Sequence, residues 1–270
     1  MQVHKIPIEL DSAPATIRFR KLLEGIEEKA RDRAIRRRIT ELLARSALRK
    51  HNSFGMEIMY SKNERSELSR LCDLYDSDKG ELSRNGHSYP WPSHSYADFY
   101  EMLFNANREA VGLIIECGIG SSCMGTNYKA GASLRVWSDY FPQAEVIGLD
   151  IDRSVLFSED RISTYYCDQT DAQSIKDFRK AAHVSASSAD IIVDDGLHTF
   201  DAGKCFFENT IDLLKRDGTY VIEDIGHHDR TEFAEYFAKR QEEFFVQFVN
   251  LHRPNLALGD NSLVVIRKKQ

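Results

Sequence analysis

Two segments of this sequence end in acids in a way that could do chemistry. The first is Asp190-Ile-Ile-Val-Asp194-Asp195-Gly196-Leu197-His198, the second Tyr220-Val-Ile-Glu223-Asp224-Ile-Gly226-His227-His228. Each reads as a short buried strand that delivers polar side chains at its C-terminal end. If the two strands are parallel neighbours, Asp195, Glu223 and Asp224 converge, with His198 one short turn away. Gathering three carboxylates is costly unless a cation pairs with them. Hard oxygen donors with little sulfur or imidazole select Mg²⁺ or Mn²⁺ over zinc. Such an ion lowers the pKa of a bound hydroxyl and orients it. A histidine near its working pKa can then take the proton. Asp195 and His198 are therefore the candidate catalytic residues, His198 as general base, and Asp195, Glu223 and Asp224 the candidate metal ligands. The plainer reading has Asp194 and Asp195 capping a helix and His198 on its surface, and Glu223-Asp224 on the adjacent strand weighs against it. His227 and His228 are expected in a loop that meets substrate.

A second constellation lies upstream. Ile114-Ile115-Glu116-Cys117-Gly118-Ile119-Gly120 ends a strand in an acid followed by G-x-G, where the glycines would let backbone approach a nucleoside at the switch point of an α/β sheet. Gly131-Ala-Ser133-Leu134 opens the next helix. The following strand ends in Gly148-Leu-Asp150-Ile-Asp152, from which Asp150 could accept both ribose hydroxyls. The next ends in Cys167-Asp168-Gln169, where a side chain could meet an adenine amino group. The dinucleotide fingerprint G-x-G-x-x-G is absent, and an acid two places before the first glycine, as Glu116 is, favours S-adenosylmethionine (SAM) over NAD.

These side chains need a scaffold. β-Branched runs at 112–117, 145–150, 162–167, 190–194, 218–223, 244–250 and 262–267 alternate with helical patterns at 133–140, 172–182, 200–214 and 231–241. That order predicts a doubly wound, mostly parallel sheet. Residues 68–104 read as loop-rich, ending in a helix from Tyr100 to Asn107. Composition agrees: of 270 residues 42% are hydrophobic and 29% charged, which suits a globular chain with a sizeable core. The net charge of -6 excludes a generally basic nucleic-acid coat. No apolar run approaches the roughly 20 residues of a membrane span, and the first ten lack a signal peptide's core. Five cysteines without a C-x-x-C pair read as reduced thiols in a cytoplasmic protein. Charge is uneven: residues 18–50 carry twelve Lys/Arg against five Asp/Glu, with apolar residues at helical spacing. This basic amphipathic helix would serve self-association, or dock RNA or a membrane surface.

Taken in order, Asp78-Lys79-Gly80, His94-x-Tyr96, Glu116-x-Gly-x-Gly, Gly131-Ala-Ser-Leu-x-x-Trp137-x-x-Tyr140-Phe141-Pro142, Gly148-Leu-Asp150-Ile-Asp152, Asp168-Gln169, Asp194-Asp195-Gly-x-His198 and Ile222-Glu223-Asp224 resemble the class I SAM-dependent sugar O-methyltransferases. The likeness is strongest to the metal-dependent deoxysugar O-methyltransferases of macrolide biosynthesis and to bacterial relatives linked to surface polysaccharides. It covers roughly residues 71–268. It implies a Rossmann-like seven-stranded sheet whose last strand, at 262–267, is antiparallel. It also implies a SAM site formed by Lys79, Tyr96, Glu116, Gly118, Gly120, Ser133, Asp150, Asp168, Gln169 and Asp194, and Mg²⁺ (or Mn²⁺) on Asp195, Glu223 and Asp224 with His198 as base. Residues 1–67 would be a helical extension, 68–107 a segment covering the cofactor, and 108–270 the SAM-binding domain. The implied acceptor is a hydroxyl of a sugar or glycosylated small molecule. Leu197 stands where the D-D-G-x-H motif more often has serine. The alternatives are a different reaction on the same fold (hydroxylase-like, or methyl transfer without metal), an RNA-associated methyltransferase, and a nucleoside-binding protein without catalysis.

Overall fold

The computed structural model describes residues 55–59, 66–80, 92–120, 129–252 and 258–269. The basic helix expected over 18–50 lies outside the described residues. The elements are β1 (Gly55–Met59), α1 (Glu67–Tyr75), α2 (Tyr96–Phe104), β2 (Leu113–Cys117), α3 (Ala132–Tyr140), β3 (Glu145–Asp150), β4 (Ser158–Glu159), β5 (Ile162–Tyr166), α4 (Ala172–Ala181), β6 (Ala189–Asp194), α5 (Phe200–Thr210), β7 (Leu214–Ile222), α6 (His227–Ala238), β8 (Phe244–His252) and β9 (Ser262–Lys268).

They form one nine-stranded sheet in the order β1-β8-β9-β7-β6-β2-β3-β5-β4. Its central seven strands are those the sequence reading anticipates. β9 is antiparallel to β7 and β8, while the pairings of β2 with β3 and β6, of β3 with β5 and of β6 with β7 are parallel. The sheet exceeds the expected seven strands by two edge additions. The two-residue β4 folds back on β5, and β1 adds in parallel to β8, so a strand stands inside the stretch expected to be a helical extension.

The alternation of side chains along the strands explains the two layers. Ile114, Val146, Ile191, Val193, Val221, Leu263 and Val265 face one core, with Leu68 and Leu71 of α1, Tyr100 of α2 and Trp137 of α3. Ile115, Ile147, Ile192, Ile222, Val264 and Ile266 face the other, with Phe178 of α4, Phe206 and Phe207 of α5 and Phe233 of α6. Strands buried on both faces read as continuous apolar runs, which is why they are legible in the sequence.

Helices differ more from expectation. α1 falls where the reading placed loop. Ser66 caps it by accepting from the Ser69 N–H at 3.1 Å, and Leu68, Leu71 and Cys72 bury one face at three- and four-residue spacing. α6 begins at His227, four residues before the expected start. Asp229 in its first turn accepts the Phe200 N–H, and the buried Arg230 donates to Ser262 Oγ at 2.6 Å. The helix start is thus fixed by tertiary contacts, and His227 and His228 lie on a helix rather than in a loop. α2 runs from Tyr96 to Phe104, earlier than the expected 100–107.

The strand order reverses beside β2, between β3 and β6. A sheet of this kind opens a ligand crevice at such a switch point, outside the strands' carboxyl ends. Gly118, in the turn after β2, has φ +87°, and a Cβ there would stand 1.9 Å from the Asp195 carbonyl oxygen. Side chain and backbone conformation both demand glycine. Gly118→Ala is expected to cost at least about 3 kcal/mol in chemical denaturation; a loss below about 1 kcal/mol would mean that the β2 and β6 turns can separate freely.

Candidate active site

A cavity of about 750 Å³ opens at the switch point, lined from the turns after β2, β3, β5, β6 and β7, from residues 76–79 and from residues 258 and 260. Such a volume suits a nucleoside-sized ligand. Lys79, Gly118, Gly120, Ser133, Asp150, Asp168, Gln169, Asp195, His198 and Asp224 all line it. Asp150 Oδ2 accepts the Ile119 N–H at 3.0 Å and Oδ1 the Asp152 N–H at 2.8 Å. The carboxylate is thereby aimed, and each oxygen keeps acceptor capacity for a ribose hydroxyl. Asp168 Oδ1 accepts from the Thr170 N–H and hydroxyl.

Four expectations change. Glu116 is wholly buried behind the wall. Strand alternation turns it to the α1–α3 side, where Trp137 Nε1 donates to its Oε2 at 2.8 Å. Burial pushes its pKa up to about 7 against the pull of Lys79. Asp194 also lies behind the wall, its Oδ1 accepting from Gln169 Nε2 at 2.9 Å while its Oδ2 has no hydrogen-bond partner among the described residues, and burial pushes it up to about 6. Tyr96 points the same way, its hydroxyl 2.5 Å from Asp224 Oδ1. Gln169 lines the cavity, but both ends of its amide are engaged, Nε2 with Asp194 and Oε1 with the Leu197 N–H at 2.6 Å. It clamps the turn after β6.

The ionic centre also differs. Asp195, His198 and Asp224 bring one donor atom each to within 4.8 Å of one another, and His198 Nε2 is 3.9 Å from Asp224 Oδ2. Glu223, expected as a third carboxylate ligand, sits outside this group. Its Oε2 accepts from Lys79 Nζ at 2.5 Å and its Oε1 from the Tyr100 hydroxyl at 2.5 Å. The physical reason is the strand period: Glu223 faces the α1–α3 layer, and the chain then turns through Asp224 at φ +53° toward the cavity. His198 holds φ +57°. Two of the three grouped residues thus occupy the left-handed region without being glycine, strain that clusters at functional sites.

Lys79, expected to touch cofactor, is 3% exposed with its ammonium turned to acids: Asp195 Oδ2 at 2.5 Å, Glu223 Oε2 at 2.5 Å and Glu116 Oε1 at 3.4 Å. Burial opposes its charge, yet Asp195, Glu223 and Glu116 hold it protonated, well above the ordinary lysine range. His94, which sequence reading marks only as part of a motif, stacks on Tyr96 and lies 3.4 Å from Asp260 Oδ1 and 3.5 Å from Asp224 Oδ1. Burial lowers its pKa, but the hydrogen bond to Asp260 and the charges of Asp224 and Asp78 raise it to about 9. Tyr100 escapes sequence reading altogether; its spacing of four from Tyr96 on one helix face is the signal that could have marked it.

The donor chemistry fits a divalent ion. Asp195 and Asp224 offer the hard oxygens that suit Mg²⁺ or Mn²⁺, with the His198 imidazole beside them. The pocket likewise fits an adenosyl cofactor, with a glycine turn, a carboxylate at ribose height on β3 and an acid after β5.

No protein-family model matches the chain. Among curated proteins it is 32% identical over 135 residues to the 8-demethyl-8-alpha-L-rhamnosyl tetracenomycin-C 2'-O-methyltransferase of Streptomyces olivaceus, covering 50% of this chain and 34% of the relative. It is 30% identical over 164 residues to the L-olivosyl-oleandolide 3-O-methyltransferase of Streptomyces antibioticus, covering 60% and 38%. The matches therefore span little more than a third of those relatives' length. Among solved structures it superposes on the MycE methyltransferase of the mycinamycin biosynthetic pathway, in complex with Mg and SAH, with a TM-score of 0.57, 22% identity and coverage of 77% of this chain and 56% of that one. The fold is the Rossmann-like fold of class I methyltransferases. In that fold the cavity at the switch point stands where the sequence reading expects it, and the turns after β2, β3 and β5 supply its wall.

The buried Asp194 gives a pH test of this description. Its folded-state pKa is raised, so its contribution to stability is fully present below 3.8 and is lost as pH rises through about 6. Asp194→Asn removes that dependence. Relative to wild type, the variant is expected to gain on the order of 3 kcal/mol between pH 4 and pH 7, read as the change in the difference of their unfolding free energies. A difference that stays constant with pH would show Asp194 to be ordinary in its titration.

Proposed function

We propose that this chain transfers a methyl group from SAM to a hydroxyl of a sugar or glycosylated small molecule, with a divalent ion at the acidic group. The observation that carries the reading is the convergence of Asp195, His198 and Asp224 at the mouth of a cavity whose wall holds Asp150 and Asp168. The named activities of the curated relatives support the acceptor class.

In this reading Asp150 orients the ribose, Asp168 lies toward the base, and the Gly118 turn admits the cofactor close to backbone. Asp195 and Asp224 would hold Mg²⁺ or Mn²⁺, which when bound lowers the pKa of an acceptor hydroxyl. His198, 39% exposed in its side chain, is placed to take that proton at Nε2. Asp224 stabilises the imidazolium that results, and Tyr96 and His94 fix Asp224. Methyl transfer is an in-line displacement, so orientation of the hydroxyl contributes as much as its ionisation. The same reading has the chain in the cytoplasm, which the cysteine pattern supports, and self-associating through residues 1–67, which the amphipathic pattern of 18–50 supports. Among the described residues no helix is long and apolar enough to cross a membrane.

The lining carries eight aspartates and one lysine, and that lysine is spoken for by carboxylates. An acidic cleft attracts cationic ligands, repels anions and leaves neutral ones unaffected. An uncharged or amino-sugar glycoside is therefore the expected acceptor, not a sugar nucleotide.

Calorimetry with SAM and a methyl-transfer assay test the whole. His198→Ala is expected to keep SAM affinity within about twofold while turnover falls roughly a thousandfold; equal loss of both would assign His198 to cofactor binding. EDTA is expected to abolish turnover, with recovery on adding Mg²⁺, and full activity in excess chelator would remove the metal from the reading. At low salt, neutral glycosides should show KM values at least about tenfold below those of nucleoside diphosphate sugars.

A further inference from the structure

The proposed function leaves one group without a task. An ammonium is buried beside the carboxylates that would hold a divalent ion. Lys79 Nζ contacts Asp195 Oδ2 and Glu223 Oε2 at 2.5 Å each, with Glu116 Oε1 at 3.4 Å. Asp195 belongs to both arrangements, since another of its contacts is the group it forms with His198 and Asp224. Two cations sharing one carboxylate across a few ångströms oppose each other, and a buried unit charge at that range changes affinity strongly.

Lys79 also has little room to withdraw. Its carbonyl accepts the Ala97 N–H at 2.9 Å, and the neighbouring Asp78 carbonyl accepts the His94 N–H at 2.7 Å. These bonds bind residues 78–79 to residues 94–97 and hold the lysine's backbone in place. The backbone that carries the ammonium is therefore a fixed feature of the site.

We infer that Lys79 is a resident counter-ion that competes with the divalent ion for Asp195, holding the Asp195 and Glu223 carboxylates together in the absence of metal and keeping metal binding weak and exchangeable. The inference rests on the reading of the acidic group as a metal site. In this inference Lys79 is a positioning residue that acts through Asp195, to which its ammonium is bound. The sequence expectation that Lys79 contacts SAM is the competing assignment.

The test is metal affinity, read without turnover. Mn²⁺ is titrated into the full chain, wild type and Lys79→Met, and free Mn²⁺ is followed by electron paramagnetic resonance. Lys79→Met is expected to bind Mn²⁺ about tenfold more tightly or better, and saturating Mn²⁺ should raise its Tm by more than it raises that of wild type. Equal or weaker Mn²⁺ binding by a folded Lys79→Met variant overturns the inference, as does a loss of SAM affinity with Mn²⁺ affinity unchanged. Wild-type chain labelled at the lysine ε-carbon with ¹³C supplies an arm that needs no folded variant. The Lys79 resonance, assigned by its absence in Lys79→Arg spectra or by its protection from solvent, should shift in step with Mg²⁺ binding. A resonance unmoved at Mg²⁺ saturation overturns the inference. Should wild type bind no metal at millimolar Mn²⁺ while Lys79→Met does, competition by Lys79 stands and the metal-assisted reading of the natural chain falls. Should neither bind, both fall.

Discussion

The site depends on one buried ammonium. Glu116, Asp195 and Glu223 stand at the carboxyl ends of β2, β6 and β7, three strands that are neighbours in the sheet, and without a counter-charge their carboxylates would repel and desolvate at the same place. Stranding one buried charge by removing its partner typically costs about 3–5 kcal/mol. Lys79 meets all three from a segment that is not part of the sheet. Tyr100 and Tyr96 then complete the hydrogen bonding of Glu223 and Asp224 from the first turns of α2. Burial outweighs the pull of that ammonium at Glu116, whose pKa is pushed up to about 7 with the charge of Asp195 adding to the shift. The helical layer is thus electrostatically bound to the acids it covers, and residues 78–80 and 92–100 are both cover and counter-charge.

Geometry follows from that constraint. The turn after β6 approaches the turn after β2 so closely that only glycine fits at 118, and at 196 a Cβ would fall 1.8 Å from Gln169 Oε1 and displace the Gln169 amide. Gln169 in turn holds Asp194 and the Leu197 N–H, so the loop carrying Asp195 and His198 is pinned at both ends. The left-handed backbone at His198 and Asp224 is the local cost of turning two strand ends into one cavity mouth; each such residue stores on the order of 1 kcal/mol. Preorganisation of this kind keeps donor atoms near their working positions before any ligand arrives.

Much of this was legible in the sequence because it follows from local periodicity. Parallel strands buried on both faces read as apolar runs, and their polar ends mark the same edge of the sheet; the seven central strands, the Gly118 turn and Asp150, Asp168, Asp195 and Asp224 at the cavity follow from that rule. What failed was orientation at the last residue of a strand. Glu223 and Asp224 are adjacent, so they point to opposite sides of the sheet unless the chain turns between them, and sequence alone does not say which one reaches the cavity. Glu116 and Asp194 pose the same question, and in both cases the side chain lies behind the wall. α1 was missed because its nine residues carry a narrow apolar face, although Ser66 is an ordinary cap. α6 was started late because Asp229 and Arg230 act through partners far away in sequence. Edge strand β4 has only two residues, both exposed, and so no buried pattern to announce it.

The apolar residues of the cavity carry the remaining argument. Ile151 and Leu197 are 59% and 58% exposed, and both line the cavity beside residues assigned to opposite ends of the reaction: Ile151 follows the ribose-orienting Asp150, and Leu197 precedes His198. An exposed large aliphatic side chain beside polar machinery offers a face for a flat or apolar ligand surface. Leu197 has its N–H fixed by Gln169 while its side chain stays exposed at the cavity. A serine at that position would present a hydroxyl to water; leucine instead dries the approach to His198. Displacing water there strengthens every electrostatic contact made by Asp224 and His198.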